Sequence, residues 1–154
     1  MIRVQTEDFD VGAELGALTA GNTNVDALAS FVGLVRDLSE GATVSAMTLE
    51  HYPGMTEKQL ARIEAEARAR WPLDDVLVIH RYGRLEPGDR IVLVATASAH
   101  RTAALESCAF LIDWLKTKAP FWKLEETPAG PQWVEARDSD DAAAARWTPR
   151  NVAE

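Results

Sequence analysis

ATASAHRTAALESCAFLIDWLKTKAPFWK, residues 95–123, reads as the end of a buried strand, a polar corner, one helix, a proline stop and an aromatic exit. Leu105, Cys108, Ile112 and Leu115 recur at steps of three, four and three, which predicts one apolar stripe of a helix. Pro120 cannot continue that helix and biases Ala119 away from helical geometry. The chain is expected to turn there, so that Lys116 and Lys123 face one pocket from either side of the turn.

The lysine distribution draws attention to the same place. The chain has four lysines, at 58, 116, 118 and 123, against twelve arginines, and three of the four fall in one eight-residue window. Arginine offers planar, permanently charged recognition, whereas lysine offers a compact amine that can exchange a proton. A chain that favours arginine but clusters lysines here suggests amine chemistry. The competing reading is that basic residues at a helix C-terminus complement its dipole. That reading suits Lys118 best and leaves Lys116 and Lys123 open to either role.

Outward from this stretch, 154 residues make one domain, 1–154, with the last few residues frayed. No apolar run has the length of a membrane span, and MIRVQTEDFD lacks the basic and apolar regions of a signal peptide. The single cysteine, Cys108, lies on the apolar stripe and reads as a small core residue. The expected compartment is the cytoplasm. The net charge of −8 argues against nucleic acid or an anionic membrane as the main partner. A local cationic cluster on such a chain points instead to a specific small anion or a carboxylate-bearing partner.

The order of elements follows from period and punctuation. Residues 2–5 read as a strand and residues 11–20 as a helix capped by Asp10. Residues 27–36 read as a strand containing Gly33, where a glycine marks a bulge or a close approach. The loop DLSEGAT is a candidate mobile segment. Residues 44–51 form a strand, and Thr56 with Gln59 suggests a capping box for a helix. Leu60, Ile63, Ala67 and Trp71 mark that helix's buried face, and Pro72 ends it. Strands follow at 76–82 and 90–97, joined through the turn signal EPGD. After the central helix come extended residues 121–127, a turn at 128–131, a strand at 133–137, and a helix from Asp140 through Trp147. From residue 44 the order matches a split β-α-β-β-α-β pattern. The expected class is α+β: an antiparallel sheet carrying two main helices, with a C-terminal hairpin.

The general catalytic signatures are absent: no phosphate loop, HExxH, CxxC or nucleophile elbow. His51, His80 and His100 show no metal-ligand spacing, and no metal site is expected. His51 and His80 close two strands and read as structural. His100 and Arg101 sit at a strand-to-helix corner, where free N–H groups and the dipole already favour an anion. Trp122 and Phe121 read as core residues ahead of pocket walls.

Several segments resemble, in order, the family of large, catalytic subunits of molybdopterin synthase, the MoaE family. They are FVGLVR (31–36), LEHYPGM (49–55), IHR (79–81), PGD (87–89), SAHR (98–101), KTKAPFWK (116–123) and WVEAR (133–137). The resemblance runs from about residue 27 to Trp147. Leu34 departs from it where lysine is common, and Ile112 where methionine is common. The resemblance implies an α/β-hammerhead fold and a sulfurtransferase. Sulfur would pass from the C-terminal Gly-Gly thiocarboxylate of a small ubiquitin-like subunit to cyclic pyranopterin monophosphate, forming the dithiolene of molybdopterin. Lys116 and Lys123 would be catalytic. The substrate would be bound by Phe31, Leu34, Val35, Arg36, His100, Arg101, Lys116, Lys123, Leu124, Glu125 and Arg137. No metal or organic cofactor is implied. The implied assembly is a homodimer of large subunits, with a small subunit at each end completing a heterotetramer. Helix geometry agrees with a shared site, because Arg101 and Lys116 are fifteen residues apart, about 22 Å along one helix. An alternative that the residues leave open is a non-catalytic adaptor binding an anion or a C-terminal carboxylate.

Overall fold

The apolar runs at 76–79 and 91–95 form the two central strands of the molecule. A computed structural model describes residues 1–39, 41–134 and 138–148. In chain order the elements are β1 (Ile2–Gln5), α1 (Val11–Thr19), β2 (Ala27–Leu34), β3 (Leu38–Ser39), β4 (Ala42–Thr43), β5 (Ala46–His51) and α2 (Met55–Arg70). They continue as β6 (Asp75–Arg81), β7 (Gly83–Leu85), β8 (Arg90–Ser98), α3 (Arg101–Thr117), β9 (Phe121–Thr127), β10 (Gly130–Val134) and α4 (Asp138–Ala145).

One sheet has the order β1-β6-β8-β2, with β1 parallel to β6 and the other pairs antiparallel. A second sheet, β10-β9-β5-β7, is antiparallel throughout. The class is α+β as expected, with α2 and α3 as the long helices and β9–β10 as the hairpin. The strands divide over two sheets, however, where the split pattern suggested one. The pairs β5–β9 and β6–β8 form, but β5 takes β7 as its other neighbour and β8 takes β2. Gly83, at φ 87°, lets the chain turn sharply after β6, so that three residues cross to the second sheet. The segment read as a mobile loop instead pairs β3 with β4 as a short ribbon.

Both faces of β6 and β8 are covered. Val76, Val78, Val92 and Val94 pack with Ala104, Cys108 and Leu111 of α3. The alternate residues Leu77, Ile79, Leu93 and Ala95 pack with Phe9 and with Leu15 and Leu18 of α1. Two-sided burial is why these strands read as continuous apolar runs rather than alternating ones.

The stripe of α3 is rotated from the expected one. Leu105 is 63% exposed, while Ala103, Ala104, Ser107, Cys108 and Leu111 are buried. Small residues let the helix sit close to β8, where Thr96 Oγ1 donates to the carbonyl of Ala104 at 2.6 Å. Cys108 is a core residue as expected, and burial pushes its thiol up to about 11.

Helix caps follow the residues only in part. Asp10 caps α1, its carboxylate accepting from the Ala13 N–H at 2.8 Å. For α2, Thr56 lies inside the helix and donates to the carbonyl of Tyr52, so it is not the cap. The Gly54 N–H donates to Glu57 at 2.6 Å instead. Glycine has no side chain to return the bond, so only that half of a capping box exists. The last helix starts at Asp138 rather than after Asp140.

Candidate functional site

The site is built where α3 ends. The Thr117 hydroxyl donates to the carbonyl of Asp113 at 2.8 Å, and the Lys118 N–H donates to Trp114 at 2.8 Å. Pro120 then turns the chain, and the Phe121 N–H bonds back to the carbonyl of Ala119 at 2.8 Å. β9 runs out antiparallel to β5, with Phe121 opposite His51, Lys123 opposite Leu49 and Glu125 opposite Met47. Alternation places these three β9 residues on one face, the face of Met47 and Leu49, which pack with Val35 and Leu85.

Lys116 and Lys123 line one cleft from either side of the proline turn, as the sequence suggested. The cleft measures about 430 Å³, and its walls include Phe31, Leu34, Val35, Arg36 and Glu125. Phe31 and Leu34 belong to β2 and Val35 and Arg36 follow it directly, past the point where the register with β8 shifts between Gly33 and Leu34. Gly33 permits this end to lie close to β8, because a Cβ there would stand 2.8 Å from the Val92 side chain. That bulge carries Arg36 to the cleft. Val134 and the start of α4, at Ser139 and Asp140, also line it.

Three predicted residues that are described, Leu124, His100 and Arg101, are not among the cleft-lining side chains of this chain. Leu124 belongs to the opposite face of β9 from Lys123 and Glu125. His100 and Arg101 are exposed at the far end of α3. Arg137 lies outside the described residues. The sequence reading missed Leu38, Ser39 and Met47 as lining residues. Leu38 and Ser39 follow Arg36 directly and are held by the local β3–β4 ribbon, whereas Met47 reaches the cleft only through its long-range pairing with Glu125. Among the described residues, no group of His, Cys, Asp and Glu converges as a metal-binding cluster. No helix among them is long and apolar enough to cross a membrane.

His80 is the residue whose place the sequence undervalued. It is 7% exposed and stacks on Phe121 with centroids 3.7 Å apart and planes 15° apart. Its Nδ1 lies 2.8 Å from the carbonyl of Arg81, which can only accept, so Nδ1 carries the proton. Burial, reinforced by the charges of Lys116, Lys123 and His51, lowers its pKa to about 4. The imidazole is therefore neutral within the field of the two lysines. In the unfolded chain it would take up a proton near its ordinary 6.5. Between those two values the unfolded state binds a proton that the native state refuses, so stability falls as pH falls through this window. The full loss is on the order of 3 kcal/mol, and roughly half of it is expected by pH 5. Denaturant titrations at pH 7 and pH 5 should show this loss in the native chain and a smaller one in His80→Gln. An equal loss in both would assign the acid sensitivity to other groups.

The sequence model of the MoaE protein family matches residues 4–118. A molybdopterin synthase catalytic subunit of Pseudomonas aeruginosa is 59% identical over 146 residues, which is 95% of this chain and 97% of that one. The solved molybdopterin biosynthesis MoaE protein of Burkholderia ambifaria is 60% identical with a TM-score of 0.82, covering 96% of this chain and 97% of that one. A solved complex of subunits 1 and 2 of molybdopterin-converting factor from Helicobacter pylori shares the fold. Its TM-score is 0.70 at 20% identity, over 89% of this chain and 90% of that one. With the family model, the identities to these relatives and the α+β fold in agreement, the chain belongs to the MoaE family.

Proposed function

We propose that this chain is the catalytic subunit of a molybdopterin synthase. It moves sulfur from the C-terminal thiocarboxylate of a small ubiquitin-like partner to cyclic pyranopterin monophosphate. The observation that carries this reading is the cleft of about 430 Å³ lined by Lys116 of α3, Lys123 of β9 and Arg36 just past β2. Both reactants are anions, and a cationic cleft on a chain of net charge −8 is suited to them. Lys116 and Lys123 stand at the thiocarboxylate, where they stabilise developing negative charge and move protons. Arg36 holds the phosphate-bearing pterin, with Phe31, Leu34, Val35 and Glu125 shaping the pocket. The partner's Gly-Gly tail enters as an extended chain, while the rest of the partner rests on the surface. The reaction takes place in the cytoplasm.

The reading includes a homodimer, and with partner a heterotetramer. His100 and Arg101 then reach the cleft of the second copy, and Arg137 joins them there. Two features support this. β2 is an edge strand of the first sheet, and the exposed Leu105 lies one helical turn from Arg101. The test mixes the chain with thiocarboxylated small subunit and pyranopterin and assays molybdopterin. Product is expected with the intact partner. A partner lacking its two terminal glycines should still bind measurably yet give no product. Product from the truncated partner would exclude tail insertion, and no product from the intact one would exclude the synthase reading.

A further inference from the structure

The third lysine of the cluster points elsewhere. At 3.6 residues per turn, positions 116 and 118 differ by about 200° around a helix, so their side chains leave it on opposite sides. Lys116 lines the cleft described above, and Lys118 lines a second cavity of about 450 Å³ between α2, α3 and α4. Arg62 and Arg70 of α2 line it as well, together with the rings of Phe110, Trp114 and Trp147. Arg70 is already engaged. It pairs with Glu66 at 2.7 Å, donates to the carbonyl of Trp147 at 2.7 Å, and stands 4.7 Å over the Phe110 ring. Arg62 and Lys118 make no ion pair or side-chain hydrogen bond among the described residues, and the Trp114 indole N–H donates to none of them. The cavity therefore gathers two uncommitted cations, an indole donor and aromatic walls.

We propose that this cavity is a second binding site, for a planar aromatic ring that bears an anionic group. The ring lies against Trp114 and Trp147, and the anion sits between Arg62 and Lys118. A bare phosphate would satisfy the cations and make no use of the aromatic lining; an apolar ligand would do the reverse. A ring carrying a phosphate satisfies both, through stacking and charge-assisted hydrogen bonds. The cavity has the size of a small-molecule site.

The test uses guanosine 5′-monophosphate as probe and tryptophan fluorescence as readout, with guanosine and inorganic phosphate as separate arms. Saturable quenching by the nucleotide is expected in the native chain and in Lys116→Ala, whose side chain lines the other cleft. Arg62→Ala and Lys118→Ala, both at exposed positions, should each weaken binding about tenfold or more, the effect of losing one charge-assisted hydrogen bond. Guanosine and phosphate should each bind more weakly than the nucleotide. Phosphate binding as tightly as the nucleotide would overturn the proposal. So would unchanged affinity in both variants, no saturation at millimolar probe, or loss of binding in Lys116→Ala, which would place the ligand in the first cleft.

Discussion

Lys116→Ala and Lys123→Ala are each expected to lower the rate of sulfur transfer by roughly 10²–10⁴, the span of a positioned acid–base group. Both amines line the same cleft, one from the last turn of α3 and one from β9. A loss of that size corresponds to about 3–5 kcal/mol of transition-state stabilisation. Simple structural roles are too small to produce it. Lys116 is exposed at a helix C-terminus, where a favourable dipole contact contributes about 0.3–1 kcal/mol. Lys116→Ala should therefore leave the melting temperature nearly unchanged while the rate collapses. Lys116→Arg and Lys123→Arg separate charge from proton transfer. Arginine keeps the positive charge but does not give up its proton in a protein, so neither variant should recover the rate. Near-native turnover in both arginine variants would reduce the lysines to electrostatic anchors. The measurement is single-turnover formation of molybdopterin with saturating partner, so that weakened partner binding is not mistaken for slower chemistry.

A mixture of Arg101→Ala and Lys116→Ala chains, each nearly inactive alone, should recover up to about a quarter of native activity after subunit exchange. The expectation follows from the length of α3. Arg101 begins the helix and Lys116 lies in its last turn, about 22 Å away at 1.5 Å per residue. Lys116 lines the cleft of its own chain, whereas Arg101 and His100 do not. If both ends act on one substrate, they must come from different copies. Random reassortment makes half the dimers mixed. Each mixed dimer holds one cleft with both residues intact and one with both replaced, which yields the quarter. Native mass spectrometry reports the exchange, and the same samples are assayed. Proven exchange without recovered activity would mean that each cleft works with residues of a single chain.

Sequence alone determined the features that depend on near neighbours along the chain. Pro120 ends a helix whatever surrounds it, so the turn that sets Lys116 and Lys123 on one cleft was legible in eight residues. Asp10 caps α1 through a bond to Ala13 three residues on, which is equally local. Gly33 announced the irregularity in β2 because a side chain there would meet Val92. The α+β class followed from the order of elements. The tertiary structure decided what depends on partners far along the chain. Leu105 fits a helical stripe as well as Leu111 does, and only the close packing of small residues against β8 chooses which of them is buried. Lys123 and Leu124 are adjacent, and the register of β9 on β5 decides which faces the cleft. The division into two sheets rests on three residues, Gly83 to Leu85, that find β5, more than thirty positions earlier. His80 lies about forty residues from Phe121, so their stack had no local signature. Local sterics and capping act within a few residues and can be read in one dimension, while register and burial are settled only when distant segments compete for the same surface.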